Sequence, residues 1–197
     1  MTGIDAEEAQ AVLDFWFGAE GDATHGTVRK EWFIKDMAFD RRIGDRFGAT
    51  IERALRGELH AWAEMPRAAL ARIVVLDQFT RNAFRGTPRA FAGDAQALAA
   101  ASALVGARID ETLPPLMRAF AYLPFEHAES LPMQDEAVRL FTRLAAADAQ
   151  VASMLDYAHR HRAVIARFGR FPHRNAILGR RSSAEEIAFL EEPGSSF

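Results

Sequence analysis

Apolar residues recur along this chain at intervals of three and four and almost nowhere in strict alternation, the mark of helices that pack by one face. The first stripe is Ala9, Val12, Leu13, Trp16 and Phe17; Asp5 with Glu8 three residues on predicts a capping box ahead of it, and Gly18 stops it. A polar, Gly-rich stretch, GAEGDATHGT, leads to Trp32 and Phe33 and then to a second helix, capped by Asp36, with Phe39, Ile43, Phe47, Ile51 and Leu55 inward and Gly57 at its end. Gly44 and Gly48 share one face of that helix and predict a neighbour packed closely against it.

The third segment, PRAALARIVVLDQFTRNAF, has Pro66 suited to a first turn and is apolar nearly all round, which predicts a central helix. Asp77 and Arg81 fall on the stripe of Leu70, Ile73 and Val74, so a buried ion pair at i and i+4 is expected, either as a structural tie or as the lining of an internal pocket. Thr87 and Pro88 predict a fourth, Ala-rich helix through Phe91, Ala95, Leu98, Ser102 and Val105. Pro114 and Pro115 open a fifth, with Leu116, Met117, Phe120 and Leu123, that Pro124 should break or kink just before Glu126, His127 and Glu129. A sixth starts at Ser130 and Pro132, and a seventh runs from about Gln150 to Phe168, with His161 in its apolar stripe and His159 near the edge. Ser182 or Ser183 with Glu185 or Glu186 predicts a last capping box, followed by the short tail PGSSF. The expected architecture is all-α: one domain over residues 1–197, seven to nine helices stacked as antiparallel helical hairpins and no sheet.

Composition narrows the function classes. A chain of 197 residues with 49% hydrophobic and 26% charged residues can bury one core and is neither disordered nor, lacking any run of ~20 apolar residues, membrane-spanning. The start, MTGIDAEEAQ, carries acids where a signal peptide has its apolar region, so a cytoplasmic location is expected. With no Cys there is no disulfide, thiolate nucleophile or Cys-type zinc site.

Charge is segregated along the chain. From Tyr157 to Ala184 there are seven Arg and no acid; with a net charge of -3, the remainder stands at -3 minus 7, or -10. Within that stretch, FGRFPHRNAILGR (Phe168–Arg180) crowds Arg, His and Asn between two Gly. An acid-free run of Arg repels itself unless it meets carboxylates elsewhere or an anionic ligand. The expectation is that Arg167, Arg170, His173, Arg174 and Asn175 fold back on Asp77, Gln78, Arg81 and Asn82 and on Glu126, His127 and Glu129, with His161 nearby. That would enclose a polar pocket for a small carboxylate or phosphate, with His127, His173 and Glu126 as acid/base candidates.

Other chemistries fit less well. His127, His159, His161 and His173 could meet Glu126, Glu129 or Asp77, but His159 and His161 at i and i+2 point some 200° apart on a helix, so neither metal nor cofactor is expected. A pI near 6.1, and Phe interleaved with Gly and Pro, argue for a loop docked on the body rather than for nucleic-acid binding. The competing expectation is a helical scaffold, binding protein or peptide without catalysis, in which the same charges only hold helices together.

Four motifs carry a resemblance: DFWFG (Asp14–Gly18), LDQFTRNAFRGT (Leu76–Thr87), LPFEHAE (Leu123–Glu129) and RFGRFPHRNAILGR (Arg167–Arg180). Over nearly its whole length the chain resembles the bacterial family catalogued as domain of unknown function 924. The resemblance implies tetratricopeptide-like helical hairpins and assigns no activity or catalytic residue. Ala128 stands where similar proteins carry Ser.

Overall fold

The computed structural model describes residues 2–195. Its α-helical segments are α1 (Gly3–Phe17), α2 (Met37–Leu55), α3 (Pro66–Val74), α4 (Thr80–Ala83), α5 (Asp94–Gly106), α6 (Pro115–Glu126), α7 (Leu131–Ala147), α8 (Ala152–Phe168) and α9 (Ala184–Leu190), joined by short 3-10 turns and loops; no strand occurs among the described residues. A π-helical turn, Val75–Phe79, connects α3 to α4 without a break, so these two form one rod and the described residues form eight helices. No helix among the described residues is long and apolar enough to cross a membrane.

Glu8 of α1 meets Thr50 and Arg53 of α2, while Phe15 stacks on Phe39 at 5.4 Å and edges Phe47 at 5.2 Å, so the two helices run antiparallel. The α3 rod lies against α1 on one side and α5 on another, and α6, α7 and α8 pack in succession through short connections. One continuous core links α1 to α8, with Trp16, Phe17, Phe39, Trp62, Phe79 and Phe141 almost wholly buried. Each such side chain contributes roughly 1.5–3 kcal/mol. Trp32 belongs to the same aromatic cluster, 4.7 Å from the Phe120 ring, and thereby fixes the segment that precedes α2.

Several local expectations are corrected. Thr2, not Asp5, caps α1, with Asp5 completing the box; Glu8 is released to take hydrogen bonds from α2. Pro88 starts only a 3-10 turn, and α5 begins at Asp94. Pro124 does not break α6, which runs on to Glu126, because the last turns from Ala119 onward are buried and their packing outweighs one missing hydrogen bond. A side chain at Gly44 or Gly48 would meet nothing within 4 Å, so neither hosts a close neighbour; both lie towards the outside of α2. The close approach is at Gly93, where a Cβ would lie 2.1 Å from the carbonyl oxygen of Leu76 in the π turn. Only glycine lets α5 start there.

Candidate functional site

The π turn places the site's central acid. Two of its carbonyls accept from side chains, Leu76 from Thr80 Oγ1 at 2.7 Å and Asp77 from Arg81 Nη1 at 2.8 Å, and such wide turns are common where a helix serves a functional site. The Asp77 carboxylate, fully buried, accepts from His127 Nδ1 at 2.8 and 2.9 Å and from Gln78 Nε2 at 2.6 Å, and lies 3.1 Å from Arg81 Nη1. Burial opposes its ionisation, but the charge of Arg81 and the hydrogen bonds from His127 and Gln78 win and hold the carboxyl well below its ordinary range. Because an ionised Asp only accepts, His127 Nδ1 carries the proton and Nε2 the lone pair. Burial, helped by Arg81 and Arg174, outweighs the pull of Asp77 and lowers the His127 pKa.

The neighbouring carboxyl is in the opposite state. Glu126, the last residue of α6, is buried beside Asp77, and burial together with that negative charge pushes it up to about 8. Its Oε1 lies 3.1 Å from His161 Nδ1, and its Oε2 is buried without a hydrogen-bond partner. His161 comes from α8, where its Nδ1 also lies 2.9 Å from the Tyr157 carbonyl; burial pushes its pKa down to about 3. The His127 and His161 rings are 6.1 Å apart, and Glu126, His127 and His161 each offer one ligand atom within 4.8 Å of the others.

The loop after α8 supplies the cations. Gly169, left-handed with φ +69, turns the chain out of α8, and Glu129 then fastens it by accepting from the Phe171 amide at 2.8 Å and from both Nη atoms of Arg180 at 2.6 and 2.9 Å. Asn175 joins this lock, accepting from Arg180 Nε and donating to Ser182. Arg174 points inward: it donates to the His127 carbonyl at 3.0 Å and to Asp94 at 3.3 Å, with its guanidinium over the rings of Phe171 and Phe91. Its Nε is buried without a hydrogen-bond partner. Burial and Arg81 lower its pKa to about 10, which leaves it a cation at neutral pH.

These groups face a cavity of about 530 Å3. Part of its lining is polar (Gln78, Arg81, Glu126, His127, His161, Arg174) and part is apolar, from Trp32, Phe33, Ile34, Phe91, Phe120 and Tyr157. Such a cavity falls in the size range of small-molecule sites, with few polar groups on a mostly apolar lining. Chemically the polar wall offers a dyad-held imidazole, a carboxyl kept near neutrality and two guanidinium groups.

Of the residues singled out in the sequence, Gln78, Arg81, Asn82, Glu126, His127, His161, His173 and Arg174 line this cavity. Asp77 sits behind His127; Glu129 and Asn175 hold the loop. Arg167 and Arg170 are not brought there: they bond Glu185 and Glu186 of α9, at 2.9 Å and at 2.6 and 2.8 Å. The Arg-rich run also meets acids outside the expected set, namely those of α9, Asp94, which meets Arg174, and Asp135, which meets Arg162. Trp32, Phe33, Ile34 and Lys35 were also missed, although an apolar cluster right after a polar loop is a signal for a docked segment. The spacing that counted against a metal compared only His159 and His161 on one helix, whereas Glu126, His127 and His161 converge from two segments, and His159 is exposed.

An all-helical protein with a carboxylate and histidine cluster on a partly open cavity is thus defined. Residues 12–194 match the bacterial family of proteins of unknown function DUF924, and the chain belongs to that family. It is similar to the solved protein of unknown function ATU0120 from Agrobacterium tumefaciens, with 39% identity over 94% of this chain and 98% of that one and a TM-score of 0.82. Comparison with curated proteins gave no match.

Proposed function

We propose that the cavity binds a small molecule carrying a carboxylate or phosphate on an apolar body. The observation that supports this best is Arg174, a buried cation in the cavity wall whose Nε has no hydrogen-bond partner. A buried donor without a partner costs about 1–3 kcal/mol, and a ligand oxygen would recover it through a charge-assisted bond. Arg81 stands on the same wall and Lys35 in the apolar segment beside it. Trp32, Phe91 and Phe120 supply apolar lining for the body of such a molecule.

A tetratricopeptide-like scaffold that binds a peptide is the competing reading. It calls for an open concave groove. The gathering of Arg81, Glu126, His127, His161 and Arg174 around one cavity of about 530 Å3, a size that suits small molecules, favours a small molecule instead.

Titration calorimetry and thermal shift against a panel of carboxylated and phosphorylated metabolites test the proposal, with Arg174→Gln as the variant. A binder should raise the melting temperature of the parent protein in a concentration-dependent way and bind Arg174→Gln at least tenfold more weakly. Failure of every carboxylate and phosphate to bind the folded parent, with a peptide library giving hits, would favour the scaffold.

A further inference from the structure

Three features of the cavity's polar wall point the same way. His127 seats Nδ1 on the Asp77 carboxylate, which puts its lone pair on Nε2, and His161 Nδ1 lies 2.9 Å from the Tyr157 carbonyl and 3.1 Å from Glu126 Oε1. Metal-ligating histidines are oriented in this manner, by a carboxylate or backbone carbonyl on the ring nitrogen that does not ligate. Glu126, between them, is buried and has one carboxyl oxygen without a hydrogen-bond partner. A buried polar atom in that condition calls for an ion, a water or a proton. Finally, one ligand atom from each of Glu126, His127 and His161 lies within 4.8 Å of the others. Ligands ~2.1 Å from one tetrahedral Zn2+ are roughly 3.4 Å from each other, so closing on an ion takes a contraction of at most about 1.4 Å.

We propose that Glu126, His127 and His161 form a site for one divalent transition metal ion of the zinc class. Two imidazoles and a carboxylate disfavour Mg2+ and Ca2+, which take oxygen ligands, and match the two-histidine, one-glutamate sets that hold Zn2+ with a coordination position left open. Here the open position faces the cavity. The guanidinium groups of Arg81 and Arg174 do not oppose an ion with full charge, since both are held on Asp94. The inference rests on the ligand reading above only for what fills the open position, namely the carboxylate or phosphate of the bound molecule; the ion's own site stands on the three side chains.

The probe is metal alone. Protein stripped with a chelator and returned to metal-free buffer is titrated with Co2+, followed by visible absorption and by metal content, and then with Zn2+ in competition. One Co2+ per chain, with the strong absorption of a low-coordinate site and displacement by Zn2+, is expected. Glu126→Gln and His161→Asn, with folding checked by circular dichroism, should each bind at least tenfold more weakly. His159→Asn, which alters an exposed residue on the same helix, should bind as the parent does. If either cluster variant fails to fold, 15N spectra of the parent carry the test: Zn2+ should shift the ring nitrogens of His127 and His161 and leave His159 in place. No stoichiometric binding by the folded parent, parent-like affinity in both cluster variants, or unmoved His127 and His161 resonances would overturn the proposal. The ligand reading is scored apart from it, by Arg174→Gln, which leaves all three metal ligands in place.

Discussion

Arg81 grips both carboxylate oxygens of Asp94, at 2.8 and 3.1 Å, while the same Nη1 reaches the backbone and side chain of Asp77. The expected pair at i and i+4 is therefore one part of a shared network. Asp94 in turn takes Arg174, so α4, α5 and the loop after α8 are joined through one carboxylate.

Sharing changes what mutations should do. Asp77→Ala is expected to destabilise by ~3–5 kcal/mol, because it leaves buried His127 and Arg81 without their common acceptor. For an isolated pair, replacing both partners by apolar residues would largely undo that loss. Here Asp77→Leu combined with Arg81→Met strips Asp94 of its main partner, so the double variant should remain at least ~2 kcal/mol below the parent. Urea denaturation of the two single variants and the double one decides the matter; a double variant as stable as the parent would show that Asp94 does not need Arg81.

Gly93→Ala should be costly although the residue does not line the site's cavity. Its new methyl would sit 2.1 Å from the Leu76 carbonyl oxygen, so either α5 or the π turn must move. A loss of ~2–3 kcal/mol is expected, in the upper range for overpacking. Thermal melts of Gly93→Ala beside Gly44→Ala, which has open space, should differ clearly, with the second unchanged or slightly stabilised by helix propensity.

Arg170 and Arg174, four residues apart in the same motif, should separate in function. Arg170→Gln loosens α9 by losing its two bonds to Glu186 and should leave ligand affinity unchanged. Arg174→Gln should weaken ligand binding at least tenfold. Equal effects of the two on binding would contradict the placement of Arg170 outside the cavity.

Acid should loosen the tie between Arg170 and α9 only at low pH. The hydrogen bonds from Arg170, and then that from the Ser183 amide, hold the Glu186 carboxyl at about 2 instead of 4.5. Its folded pKa lies below the unfolded one, so its contribution is complete above about pH 4.5 and is lost as the pH falls through about 2. Carboxyl chemical shifts should show this low midpoint in the parent, and Arg170→Gln should move it up towards 4.5.

The helices were legible because each carries its own stripe, and even Asp77 could be assigned to an inner face by counting 100° steps. What periodicity does not encode is the local departure from it. The π turn follows from side chains at Thr80 and Arg81 taking over the carbonyls of Leu76 and Asp77, and no spacing announces that. Pro124 read as a breaker because propensity is local, while the burial that overrides it comes from α7 and α5. The polar residues of the site stood out through their unusual placement, Asp77 and His161 on apolar faces and Glu126 beside His127. Their partners did not, because Asp94, Glu185 and Glu186 look like ordinary first-turn acids until the chain folds.

The π turn also sets how the chain tolerates changes in length. It is one residue wider than a regular turn, so deleting a single residue between Val75 and Phe79 would let α3 run straight into α4 as ordinary α-helix, a locally favourable outcome. Because the wide turn is what absorbs the extra residue, the segments on either side would keep their facing, with Leu70 to Val74 in the core and Arg81 towards Asp94. What would change is local, namely where Asp77 and Gln78 stand within the turn and hence what His127 meets. The extra residue therefore serves the site, and the packing of the flanking helices does not depend on it.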